Sequence, residues 1–217
     1  MNERRARSVR DSKRREPFKE PRDRVLIVCE GAKTEPNYFK HLIRQLRLST
    51  KVLVIGKECG SAPKSIVEHA IQQIHQEGDN PYDQVWCVFD VEIPKNESLN
   101  EAYNNIITYK PAKNSPTKLK HALTNPCFEY WYILHFEKVG KAFNSNRKVI
   151  HHLKKLHPEY DKASKEICEE IYQNLETAIS HAKGIIREKH CGDDLREYNP
   201  STHVHLLVQY LQEVAGR

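Results

Sequence analysis

The chain has 217 residues, a formal charge of +6 and a mean hydropathy of −0.74. That length can bury a sizeable core, which rules out a small scaffold dependent on disulfides. No stretch approaches the roughly 20 consecutive apolar residues of a membrane helix, and "MNERRARSVRDSKRRE" lacks the apolar centre of a secretory signal, so a cytoplasmic protein is expected.

Residues 1–24 hold ten Lys or Arg against five Asp or Glu, and so carry most of the net charge. So few apolar groups cannot offset the entropy of ordering, and the tail is expected to be disordered. Its Arg4, Arg5, Arg7, Arg10, Lys13, Arg14 and Arg15 form either a solubilising coat or an arm that grips nucleic-acid phosphates.

From residue 24 a regular alternation begins. "RVLIVCE" is an apolar run of strand length, and "EPNYFKHLIRQLRL" places Tyr38, Leu42 and Leu46 at helical spacing. "KVLVIGK" is a second strand. "SAPKSIVEHAIQQIHQ" is a helix, with Ser61 as N-cap candidate and Pro63 in its first turn. "QVWCVFD" is a third strand. Apolar strands separated by amphipathic helices imply a parallel sheet covered on both faces, hence an α/β fold.

Further on, "SLNEAYNNIITYK" reads as a helix, "KLKHALT" as a fourth strand and "NPCFEYWYILHFE" as a largely buried helix that Asn125 and Pro126 cap and start. Then come "RKVIHHLKKLH", "SKEICEEIYQNLETAISHAKGIIREKH" and "STHVHLLVQYLQE", the last with Ser201 or Thr202 as cap. The organisation expected is a tail over 1–24, an α/β domain over 25–140 and a helical region over 141–217 packed on it. The six cysteines form no C-x-x-C pair, so buried free thiols are expected rather than a zinc site.

Functional groups of an open parallel sheet collect at the carboxyl ends of its strands. The first strand ends in Glu30 and the third in Asp90, with Glu92 two residues on; on an extended chain that spacing points both side chains to one face. If the two strands are neighbours, three carboxylates converge, and the simplest compensation is a divalent cation. Hard oxygen donors without Cys or His suit Mg2+ or Mn2+. Gly31 lets a phosphate approach the backbone and Lys33 offers it a point charge, so phosphodiester chemistry is the natural inference.

The alternative for each acid taken singly is a turn former or cap partner. "EGAKT" lacks the upstream glycine of a phosphate-binding P-loop. Glu129 either joins the crevice as a further metal ligand or only favours a helix dipole. His135 is expected to be a buried histidine bonded to backbone rather than a proton donor. Phe128, Tyr130 and Trp131 are expected in the core. The block "HCGDDLREYNPSTHVH" has ligand types at a spacing that matches no zinc module.

The blocks "VLIVCEGAKTEPNYF", "VWCVFDVE", "NPCFEYWYILHFE" and "NPSTHVHLLVQYL", in that order, resemble the RloB family of bacterial proteins associated with phage defence. That family is similar to the TOPRIM superfamily shared by topoisomerases, primases and OLD-type nucleases. The resemblance implies a TOPRIM-like parallel sheet flanked by helices with a helical C-terminal extension, Glu30 as general acid or base, and Asp90 with Glu92 as Mg2+ ligands. Glu92 stands where the TOPRIM pattern more commonly has aspartate. The expected function is a Mg2+-dependent nuclease of abortive-infection defence acting on DNA or RNA, tRNA included. The alternative is a non-catalytic metal-binding module or one that docks a partner protein encoded nearby.

Overall fold

The computed structural model describes residues 23–48, 52–55, 62–78, 81–93, 95, 97–111, 117–163, 165–189 and 194–216. The basic side chains from Arg4 to Arg15, Ser61, His190, Cys191 and Asp193 lie outside those residues. One mixed sheet has the order β2-β1-β3-β4-β5. Its strands are β1 (Val25–Cys29), β2 (Val52–Ile55), β3 (Gln84–Asp90), β4 (Lys118–Asn125) and β5 (Ser201–Thr202). The first four run parallel, and β5 pairs antiparallel with the end of β4.

Strand alternation explains the two cores. Val25, Ile27 and Cys29 of β1 face one side with Trp86, Val88 and Ala122, whereas Leu26 and Val28 face the other with Val85, Cys87, Phe89, Leu119 and Leu123. Helices α2 (Pro63–Gln76) and α3 (Leu99–Ile107) cover the second side with Ile66, Val67, Ala70, Leu99, Ala102 and Ile106. Helix α1 (Thr34–Gln45) covers the first with Tyr38, Phe39 and Leu42, together with the α-helices that follow β4. This is the α/β architecture expected, with both faces of the sheet covered.

Those later helices are α4 (Glu129–Ile133), α5 (Asn146–Leu156), α6 (Glu166–Tyr172), α7 (Leu175–Glu188) and α8 (Val204–Gly216). Val149, Ile171, Ala178, Val204, Leu207 and Leu211 share one apolar cluster with Val25 and Trp131. The C-terminal region therefore has a core in common with the α/β unit, and it supplies β5 as well as helices.

Several local expectations change. Ala62, with no capping side chain, holds the N-cap position of α2, and Pro63 opens the helix. Asn125 does not cap a helix: it ends β4 and donates its amide to the carbonyls of Leu195 and Arg196 at 3.1 and 3.2 Å. Helix α4 is one short piece entered from Phe128, because the chain around it forms turns. Between residues 165 and 189 the chain divides into α6 and α7 at Asn174, whose backbone is non-helical. Thr202 belongs to β5, yet its Oγ1 accepts from Val204 N at 3.1 Å and so serves the first turn of α8.

The apolar block around α4 is core, as its composition requires. Phe128, Tyr130 and Trp131 are fully buried, and the Tyr38 ring stands edge-on to Phe39, Phe128 and Trp131 at 5.1, 5.7 and 6.3 Å. His135 is buried against Trp131, with Nδ1 2.9 Å from the Trp131 carbonyl, and burial lowers its pKa to about 4. It is a neutral core histidine. Cys29, Cys87, Cys127 and Cys168 are buried free thiols. Among the described residues no helix is long and apolar enough to cross a membrane.

Candidate functional site

Because β1 and β3 are hydrogen-bonded neighbours, their last residues meet. Glu30 N extends the ladder by donating to Val88 O at 2.9 Å, and the Glu30 carboxylate then reaches across to accept Asp90 N, also at 2.9 Å. The Asp90 carboxylate accepts Phe128 N at 3.0 Å, which ties the loop after β4 to the same point. Each carboxylate keeps a second oxygen with no protein donor among the described residues.

Glu92 arrives by another route than the one expected. The strand stops at Asp90; Val91 N donates to Thr124 O and Glu92 N to Pro126 O, both at 2.8 Å, and Glu92 has φ +60°. Asp90 and Glu92 therefore do not share a face by strand alternation, because the strand has ended and Glu92 is itself left-handed. Glu92 is still close enough for its charge to act on Glu30. A non-glycine residue in that conformation carries local strain of about 1 kcal/mol.

Two further acids complete the cluster. Glu35, in the first turn of α1, is only 6% exposed and accepts Gly31 N at 3.2 Å. A Cβ at position 31 would lie 2.0 Å from Glu35 Oε2. The room Gly31 leaves is thus occupied by a carboxylate, where the sequence suggested a phosphate. Lys33 is exposed at the N-cap position of the same helix. Glu129, 2% exposed, accepts Tyr160 Oη at 3.0 Å and lies 3.3 Å from Lys162 Nζ.

Sequence reasoning missed Glu35, Tyr160 and Lys162. The spacing of Gly31 and Glu35, four residues apart around a helix start, was the available signal for the first. No local pattern marks Tyr160 or Lys162, whose segment reaches the site only through the tertiary fold, with Thr34 Oγ1 donating to Lys162 O at 3.5 Å.

Crowding decides the electrostatics. Burial raises the pKa of Glu30 to about 8; the charges of Glu92 and Glu35 push the same way, and the bond from Asp90 N only partly opposes them. Asp90 rises well above the carboxylate range through burial and through Glu35, Glu30 and Glu129. Burial likewise raises Glu35, with Glu129 adding to it. Burial disfavours the Lys162 ammonium, but Glu129 and Asp90 outweigh this and its pKa goes up.

Among the described residues no group of three or more His, Cys, Asp or Glu side chains is placed to hold a metal ion as it stands. The donor set nonetheless fits a hard cation: Mg2+ commonly takes one or two carboxylates and completes its shell with water and phosphate oxygens. The open oxygen of Asp90 meets that requirement, with Glu30 and Glu92 close by. The histidines near the C-terminus do something else: His205 is buried with Nδ1 3.1 Å from Thr202 O, and burial lowers its pKa to about 4.

The Gly31→Ala variant should lose about 2 kcal/mol of stability, since the new methyl displaces a buried carboxylate and breaks its bond to the residue 31 amide. Urea unfolding of Gly31→Ala, Glu35→Ala and the double variant measures this. The two changes should be strongly non-additive; additive losses would show that the Gly31 and Glu35 contact is not the cause.

A family model described as RloB-like protein matches residues 25–211. No curated protein and no solved structure matches the chain.

Proposed function

The chain belongs to the RloB-like protein family, and from that membership we propose a nuclease of TOPRIM type that cleaves phosphodiester bonds in DNA or RNA, tRNA included, with Mg2+ or Mn2+. Membership supports a place in phage defence, and the abortive-infection mode is part of the proposal. The observation that carries the reading is the bond from Asp90 N to Glu30 Oε2, which brings the acids at the ends of β1 and β3 together.

In this reading Asp90 and Glu92 would hold the cation, with Glu30 and Glu129 beside them. The bound ion supplies charge neutralisation at a phosphoryl oxygen and lowers the pKa of water. Glu30, raised to about 8, is protonated at neutral pH and oriented by the Asp90 amide. It is thus poised to deliver a proton to the departing oxygen and to take one back. Lys33, exposed at the start of α1, would be available to a substrate phosphate. Burial of Glu35 and Glu129 keeps bulk water from screening the site.

The test is cleavage by the purified full-length protein of plasmid, single-stranded DNA and tRNA, with Mg2+, with Mn2+ and with chelator. Cleavage of at least one substrate that stops on chelation supports the reading; metal-independent cleavage, or none with any substrate, sinks it.

The partner-docking alternative draws on a different place. Ile107 and Leu206, 58% and 42% exposed, line a groove of about 610 Å3 along β4 with Lys118 and Lys120. A protein that binds no Mn2+ in calorimetry yet forms a stable complex with a neighbouring gene product would favour that reading.

A further inference from the structure

The only ammonium group that the described residues place on the acidic cluster comes from the segment between α5 and α6. Tyr160 anchors that segment: its ring is 2% exposed, stands edge-on to Tyr132 at 6.0 Å, and its hydroxyl donates to Glu129 Oε1 at 3.0 Å. Two residues on, Lys162 Nζ lies 3.3 Å from the same oxygen, while the Lys162 side chain is 62% exposed. Beyond the anchor the attachment is thin. Thr34 Oγ1 donates to Lys162 O and Asn37 Nδ2 to Ala163 O, each at 3.5 Å, the outer limit of a hydrogen bond.

Resting on the metal-dependent reading above, we infer that Lys162 is a built-in counter-ion of the site, which occupies the field of the carboxylates in the metal-free protein and competes with the divalent cation for it. Geometry supports this in two ways. Glu129 has a neutral donor as well, Tyr160, so its oxygen remains hydrogen-bonded when the ammonium leaves. The exposed stem of Lys162 can swing into solvent without unburying any apolar core, because the apolar anchor is Tyr160.

Electrostatic reach agrees with the geometry: the charge of Lys162 acts on Glu35 and Cys127 as well as on Glu129 and Asp90. One monovalent charge at the mouth of a five-acid cluster lowers the field that a divalent ion would feel. The site is then gated by cation concentration, and it fills only when Mg2+ is abundant enough to displace the lysine. A purely structural lysine makes the opposite prediction, since it would hold Glu129 in place for the metal.

The test is calorimetric titration of the full chain with Mn2+, comparing wild type, Lys162→Met and Lys162→Arg, with thermal melts to confirm that each variant is folded. Lys162→Met should bind Mn2+ about tenfold tighter than wild type, and Lys162→Arg should bind close to wild type. Equal or weaker binding by a folded Lys162→Met, while wild type binds, overturns the competition and leaves the metal reading standing. Silence in wild type and variants alike overturns both.

Discussion

Asp90→Asn is expected to reduce metal-dependent cleavage by about a thousandfold and, in the same molecule, to raise thermal stability at pH 8. The loss follows from removing a charged oxygen at the point where β3, β1 and the β4 loop converge. The gain follows from relief of repulsion, because Asp90 sits within the fields of Glu35, Glu30 and Glu129. Asparagine can still accept Phe128 N through its amide oxygen, so the loop keeps its tie. Cleavage rates and melting curves of one preparation check both halves. Cleavage that survives the change removes Asp90 from the mechanism. Cleavage lost together with stability would mean the side chain was only structural.

The metal-free protein should become less stable as pH rises from about 5 to about 8. Glu30 has an ordinary carboxyl value of 4.5 in the unfolded chain and about 8 in the fold. Between those values the folded protein holds a proton that the unfolded chain has released, so raising the pH favours unfolding until the folded group has ionised too. Solvent reaching its open oxygen moderates the penalty to about 3 kcal/mol, or about 8 °C in melting temperature for a chain of this size. Melting curves across that window measure it. Glu30→Gln, which keeps an acceptor for Asp90 N, should flatten the dependence, and millimolar Mg2+ should restore stability at the alkaline end. A flat profile in the wild type would mean that the acids are better solvated than their burial indicates.

How much of this was legible beforehand depends on how local the determinant is. The strands were readable because a parallel strand covered on both faces needs an unbroken apolar run, and "VLIVC" and "VWCVF" supply it. Glu30 and Asp90 were readable for the same reason, since strand ends are fixed by the runs before them. Glu92 comes close enough for its charge to act on Glu30 by a route that was not readable, because nothing in its identity announces a left-handed backbone. Glu129 lay open between two roles until Tyr160, 31 residues further on, appeared against it. Helix α4 was read too long, since composition reports burial and not the hydrogen bonds that stop a helix.

The pairing of β5 with β4 bears on how the protein is made. Thr124 meets Thr202, 78 positions further along the chain, and that loop must close before the sheet is complete. During synthesis Glu30 and Asp90 emerge well before α8 and the last strand that complete their shared core. A nascent chain that has not yet made them leaves one face of β1 and β3 without part of its apolar cover. On the nuclease reading proposed above, chemistry at Glu30 and Asp90 would then await the synthesis of almost the whole polypeptide.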